Sequence, residues 1–223
     1  MSTTEGFRMI GDNRLSFADE VVGEDRQNMM DLLVYAEMYA TQAVAHNRQP
    51  EAWHEFYHAC LLRHGCRLVS FLAQSTARAL TPQHVRDFKV VLVERGENEV
   101  FVQLVSQSLA AMQLEEKAAR HFASSAMPQR EAEKALLCKV SPCYTDAHNQ
   151  PYLGFCGLVM RYEVEVDHGF LTDVYHRFVT LTPHGGCYLF DRGVYAEHRT
   201  LVLQNTERLS EWFFAASQAQ GTR

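Results

Sequence analysis

The chain lacks any run approaching the roughly 18 uncharged apolar residues that a membrane-spanning helix needs. Its first residues, Met1 to Gly6, carry no basic cluster leading into an apolar stretch, so no export leader is expected. Proline (6) and glycine (12) are scarce in 223 residues, which excludes collagen-like and proline-rich extended chains. Positive charge is also short: 21 Lys and Arg against 27 Asp and Glu leave a net charge of −6, a field that repels nucleic-acid phosphate and anionic lipid. The six cysteines include no C-x-x-C pair and are few for a disulfide scaffold, so reduced thiols and a cytoplasmic location are expected. A phosphate-binding glycine loop, a dinucleotide fingerprint and internal repeats are all missing. What remains is 47% apolar and 11% aromatic, enough to build a core.

Helical spacing dominates the first half. Ser16, with Asp19 and Glu20 behind it, reads as a helix cap, and Gly23 as an interruption. Met29, Leu32, Leu33, Ala36, Tyr39 and Ala40 give one apolar face from Glu24 to about His46. After Asn47-Arg48-Gln49, Pro50 suits the first turn of a second helix running through Trp53, Tyr57, Leu61, Leu68 and Leu72 to about Ala79. So short a connection predicts a long antiparallel pair. Thr81-Pro82 opens a further segment to about Glu94, and 107–123 reads as helix. The stretch 88–106 fits either a helix or a β-hairpin, with helix favoured, and Ser124 to Pro128 reads as a linker.

Beyond Lys134 the period changes. Met160 to Asp167 alternates apolar and charged residues, which predicts a strand burying Met160, Tyr162, Val164 and Val166. The apolar run Tyr152 to Met160 reads as buried strand. Turns are expected at Asp167-His168-Gly169, Thr182 to Gly186 and Asp191-Arg192-Gly193, the last leading into a strand Val194 to Leu203. Asn205 or Thr206 then caps a closing helix with Leu209, Trp212, Phe213 and Phe214. The expected class is α+β. It has a helical region 1–127 of three to five helices, then a four- or five-stranded antiparallel meander with a C-terminal helix over 128–223, packed as one unit.

One motif carries chemistry. His54-Glu55-Phe56-Tyr57-His58 matches H-E-x-x-H, in which histidines about 40° apart around a helix and about 6 Å along it reach one ion. The glutamate then takes a proton from metal-bound water. With His64 the spacing resembles that of the metzincin zinc peptidases, whose fold places a sheet before the active-site helix. Leu61 stands where that family has glycine, and a continuous helix would carry His64 about 120° away from His58. The gluzincin pattern asks for a later glutamate, and nothing selects among Glu94, Glu97 and Glu99. The bland reading makes His54 and His58 hydrogen-bonded core or interface histidines. His184 and Cys187, in His184-Gly185-Gly186-Cys187, form a weaker ligand or nucleophile set.

The leading expectation is a cytoplasmic, non-enzymatic binding or accessory protein acting through its helical half. Phe56 and Phe71 would extend onto a contact with a protein partner or a second copy, with no cofactor, nucleic acid or membrane span. The alternative is a zinc-dependent hydrolase with His54 and His58 as ligands and Glu55 as general base.

Overall fold

The computed structural model describes residues 8–10, 13–44, 49–93, 99–123, 135–168, 170 and 172–220. The elements are β1 (Arg8–Ile10), β2 (Asn13–Phe17), α1 (Gly23–Ala43), α2 (Pro50–Arg63), β3 (Cys66–Phe71), β4 (Ala77–Ala79) and α3 (Pro82–Arg86). There follow α4 (Glu99–Ala110), α5 (Leu114–Ala123), β5 (Leu136–Thr145), β6 (Pro151–His168), β7 (Asp173–Phe190) and α6 (Arg192–Gln220). All seven strands join one sheet in the order β1-β2-β5-β6-β7-β3, with β4 also on β7. Every pairing is antiparallel except β2 with β5.

The period-2 geometry of the central strands sorts their side chains to two covered faces. Leu137, Cys143, Leu153, Phe155, Val159, Tyr188 and Phe190 pack with Met29 and Leu33 of α1, Trp53 and Tyr57 of α2, and Tyr195 and Val202 of α6. On the opposite face Cys138, Val140, Cys156, Leu158, Met160, Val179 and Leu181 meet Val85 of α3, Phe101, Val105 and Leu109 of α4, and Leu114 of α5. A sheet buried on both sides explains why β5 and the first half of β6 read as unbroken apolar runs rather than alternating ones.

The α+β class, the largely antiparallel sheet and the closing helix are present, and α1 and α2 are the expected antiparallel pair. Contacts between them run in opposite sequence directions. Trp53 Nε1 donates to Thr41 Oγ1 at 3.1 Å, Tyr39 meets Phe56 at 6.2 Å between ring centroids, and Tyr35 meets His64 at 5.2 Å.

The expected four- or five-stranded meander of 128–223 is instead part of a sheet of seven strands among the described residues. Four of them (β1 to β4) are drawn from the region expected to be helical, and several local expectations are corrected with it. Ser16 does not cap a helix: it lies in β2, opposite Pro142 of β5, and α1 starts at Gly23 with φ of 59°. The second helix stops at Arg63 instead of Ala79, because Gly65 takes φ of 99° just past the end, a conformation that glycine adopts freely. Its remainder forms β3 and β4. The segment from Pro82 is helical for five residues, and Leu92 forms a β-bridge with Leu72, so 88–106 is helix from Glu99 onward. The linker at 124–128 lies outside the described residues.

In the second half, Thr182 to Gly186 is not a turn but the middle of the 18-residue β7. Its glycines serve close approach. A Cβ on Gly185 (φ 125°) would stand 2.1 Å from the Phe155 carbonyl oxygen, and one on Gly186 would stand 2.3 Å from that of Ser70. Asp191-Arg192-Gly193 is not a hairpin loop either. Asp191 Oδ1 accepts from Gly193 N at 2.9 Å and Val194 N at 3.0 Å, capping a helix that absorbs the expected strand 194–203 and the later start at 205.

Polar groups lie buried between the sheet and the α1/α2 layer. Lys139 of β5 is 0% exposed, forms an ion pair with Glu37 of α1, and holds its ammonium 4.5 Å from the centre of the Trp53 ring. Beside it Asn13 Nδ2 donates to Ser141 Oγ at 3.0 Å, and Ser141 Oγ donates back to Asn13 Oδ1 at 3.1 Å, tying β2 to β5.

Candidate functional site

The i, i+4 spacing on α2 turns the His54 and His58 rings to the same side of the helix, toward the sheet. The two rings lie 6.4 Å apart, within 10° of parallel. Below them Phe155 of β6 approaches to 5.4 Å of His54 and 4.3 Å of Tyr57. From β7, His184 brings its ring to 5.4 Å of His54, and Tyr188 places its hydroxyl 2.8 Å from His58 Nδ1. His184 reaches this point because Gly185 and Gly186 let β7 close against β6 and β3.

Burial sets the charge state of the cluster. Burial above all, then the neighbouring His184 and His58, pulls His54 down to about 3. Burial lowers His58, and burial with the Arg161 guanidinium lowers His184 against the opposing pull of Glu51. All three are neutral at physiological pH, the form in which imidazole binds metal. His54 Nε2 and His184 Nε2 are buried without a hydrogen-bond partner. The bland reading of satisfied core histidines therefore holds for His58 and not for those two nitrogens.

Glu55, one residue on and about 100° around the helix, is exposed. His64 belongs elsewhere. At 3% exposure it donates from Nδ1 to the Cys60 carbonyl at 2.8 Å and packs against Tyr35 and His198. Among the described residues, no three His, Cys, Asp or Glu side chains already surround one point closely enough to hold an ion.

No family model matches the chain, and no curated protein does. A solved structure described as the Evf virulence factor is similar at 11% identity and a TM-score of 0.35, over 93% of this chain and 85% of that one.

The other sequence candidates are settled by burial. Cys187 is fully buried, bonded to the Tyr144 hydroxyl at 3.3 Å, and its thiol is pushed up to about 11, which removes the thiolate a nucleophile needs. All six cysteines are free and buried, and burial pushes the Cys60 thiol up to about 12. Phe56 and Phe71 are 39% and 46% exposed. Two cavities lie away from the motif, one of about 160 Å³ against Val85, Phe88, Leu109 and Leu158, the other of about 570 Å³ beside Glu20, Gln103, Gln107 and Asp146. No helix among the described residues is long and apolar enough to cross a membrane.

A surface feature that the alternation Met160 to Asp167 marks only as strand is the far end of the β6/β7 hairpin. β5 pairs with β6 up to Met160, and β4 with β7 from Val179. Beyond these, Glu163 to His168 and Asp173 to Phe178 pair with each other, forming a two-stranded ribbon about 20 Å long. Its base is braced by Arg78, which bonds Glu165 at 2.6 Å and lies over the Phe178 ring at 3.7 Å, and by His121, which bonds the Glu163 carbonyl at 3.2 Å. Phe170 at the tip is 102% exposed, with Val174 at 50% and Tyr175 at 37%.

Proposed function

We propose that this chain is a non-enzymatic binding protein of the cytoplasm, and that the β6/β7 ribbon makes the contact with a protein partner or a second copy. The observation that carries the reading is the combination of Phe170, Val174 and Tyr175 on a strand pair without further strand neighbours among the described residues. A two-stranded ribbon is marginal in water, and a large aromatic at its tip costs solvation unless it docks. This moves the contact from the helical half, where Phe56 already leans on Tyr39, to the end of the sheet. Free buried thiols support the compartment. Hydrolysis at the His54–His58 motif has weaker support, since Glu55 is exposed rather than directed into a closed site.

The test places a photo-crosslinking benzoylphenylalanine at position 170, with the same residue at exposed position 207 of α6 as control. One dominant adduct specific to position 170, reduced by Tyr175→Ser, is expected. Equal or absent adducts at the two positions would refute the proposal.

A further inference from the structure

Independently of the ribbon, we propose that His54, His58 and His184 bind one divalent transition-metal ion that fastens α2 to β7. Two imidazoles sharing an ion at the usual N–metal distance of about 2.0–2.1 Å stand roughly 5 Å apart between ring centres. The His54–His184 separation of 5.4 Å is close to that spacing without rearrangement. The two nitrogens this pair would use, His54 Nε2 and His184 Nε2, are buried and unpartnered, and His184 is 8% exposed. Leaving two such acceptors or donors dry costs free energy that an ion would recover.

His58 supplies the third position. At 6.4 Å from His54 and within 10° of parallel to it, its ring must close by about 1 Å and turn about its side-chain torsions, because the ion lies in the plane of each imidazole that binds it. Its Nδ1 faces the Tyr188 hydroxyl at 2.8 Å. With Nδ1 protonated and donating to that oxygen, Nε2 is left as the donor atom, and the bond fixes the ring plane as outer partners of metal-bound histidines do. A neutral three-histidine set suits zinc, cobalt, nickel or copper rather than calcium or magnesium, which prefer oxygen. Because Glu55 is exposed, the ion's role is structural: it joins α2 to β7.

The experiment uses the full chain without a histidine tag, treated with chelator and titrated with Co(II) and then Zn(II). Expected are one equivalent bound, a tetrahedral cobalt absorption, and a rise in melting temperature. Glu55→Gln should leave all three unchanged, Tyr188→Phe should weaken binding by about 10–100-fold, and His184→Ala should abolish it. Since a histidine variant can lose its fold, long-range ¹H–¹⁵N spectra of the unaltered protein give a second readout. Zinc should shift three ring systems, assigned to His54, His58 and His184. Saturation without a one-to-one end point, shifts confined to surface histidines such as His148, or full binding by a folded His184→Ala variant would overturn the site.

Discussion

Replacing Lys139 by methionine keeps most of the length of the side chain and removes the cation from the buried pair with Glu37. Lys139 has no exposure and the Glu37 side chain has 9%, so solvent cannot take over the role of the ammonium. Stranding one member of a buried pair typically costs about 3–5 kcal/mol. Protonation caps that cost. A carboxyl with an ordinary pKa of about 4.3 accepts a proton at about 1.36 kcal/mol per pH unit, which is roughly 3.7 kcal/mol at pH 7 and roughly 1 kcal/mol at pH 5. Lys139→Met should therefore lose about 3–4 kcal/mol at pH 7 and about 1 kcal/mol at pH 5, each against the unaltered chain at that pH. The double variant Lys139→Met/Glu37→Leu should return to within about 1 kcal/mol of the starting stability at both. Urea unfolding followed by circular dichroism at the two pH values measures all six numbers. A penalty that is the same at pH 5 as at pH 7, or a double variant worse than the single, would mean that the damage comes from lost packing on Trp53 and not from the charge.

Other outcomes follow from close contacts and titration. Gly154→Ala should cost about 1–3 kcal/mol, since the new methyl would stand 2.6 Å from the Phe101 ring. Adding Phe101→Leu should restore part of that loss in the same unfolding assay, and no restoration would remove the steric account. His64 is lowered by burial first, with His198 and Arg63 adding to the effect and its bond to the Cys60 carbonyl opposing it. Its folded-state pKa lies below the unfolded value of about 6.5, so its contribution is intact above that pH and lost as pH falls through it. His64→Gln should then flatten the decline of melting temperature between pH 7.5 and 5, measured in chelator, while identical slopes would place the acid sensitivity elsewhere. The net charge of −6 predicts no retention on DNA, and retention that weakens steeply with salt would reveal a basic surface.

Residues that carry their signal locally were legible in the sequence. The apolar face of α1, Pro50 at the start of α2 and the alternation from Met160 onward all report on their own segment. Met160 is fully buried, while Tyr162, Val164 and Val166 are half-buried because the ribbon leaves the helical layers there. Residues whose meaning depends on a distant partner misled. Gly185 and Gly186 look like turn residues until Phe155 and Ser70 are seen pressing on them. Ser16 looks like a cap until β5 arrives 120 or more positions later to pair with β2. Two further signals lie in the sequence. Tyr195, Val202 and Leu209, seven apart, mark the buried line of α6, and Gly65 marks the end of α2. At the site, the spacing of His54 and His58 was readable, but nothing in sequence joined His184 to them.

The parallel pairing of β2 with β5, and the antiparallel pairing of β3 with the last strand, also set a timetable for synthesis. When α1 and α2 leave the ribosome, the central strands they cover, β5 to β7, do not yet exist. At about 5–20 residues per second, roughly 6–25 s separate completion of Arg63 from that of Phe190. During that interval Met29, Leu33, Trp53 and Tyr57, all buried in the finished molecule, lack the central strands that cover them. The polar groups placed among them, Glu37 on α1 and Asn13 on β2, meet Lys139 and Ser141 only once β5 is made. A polar group buried without its partner is costly, so those groups disfavour a tight apolar collapse of the first third of the chain before the sheet that completes it is made.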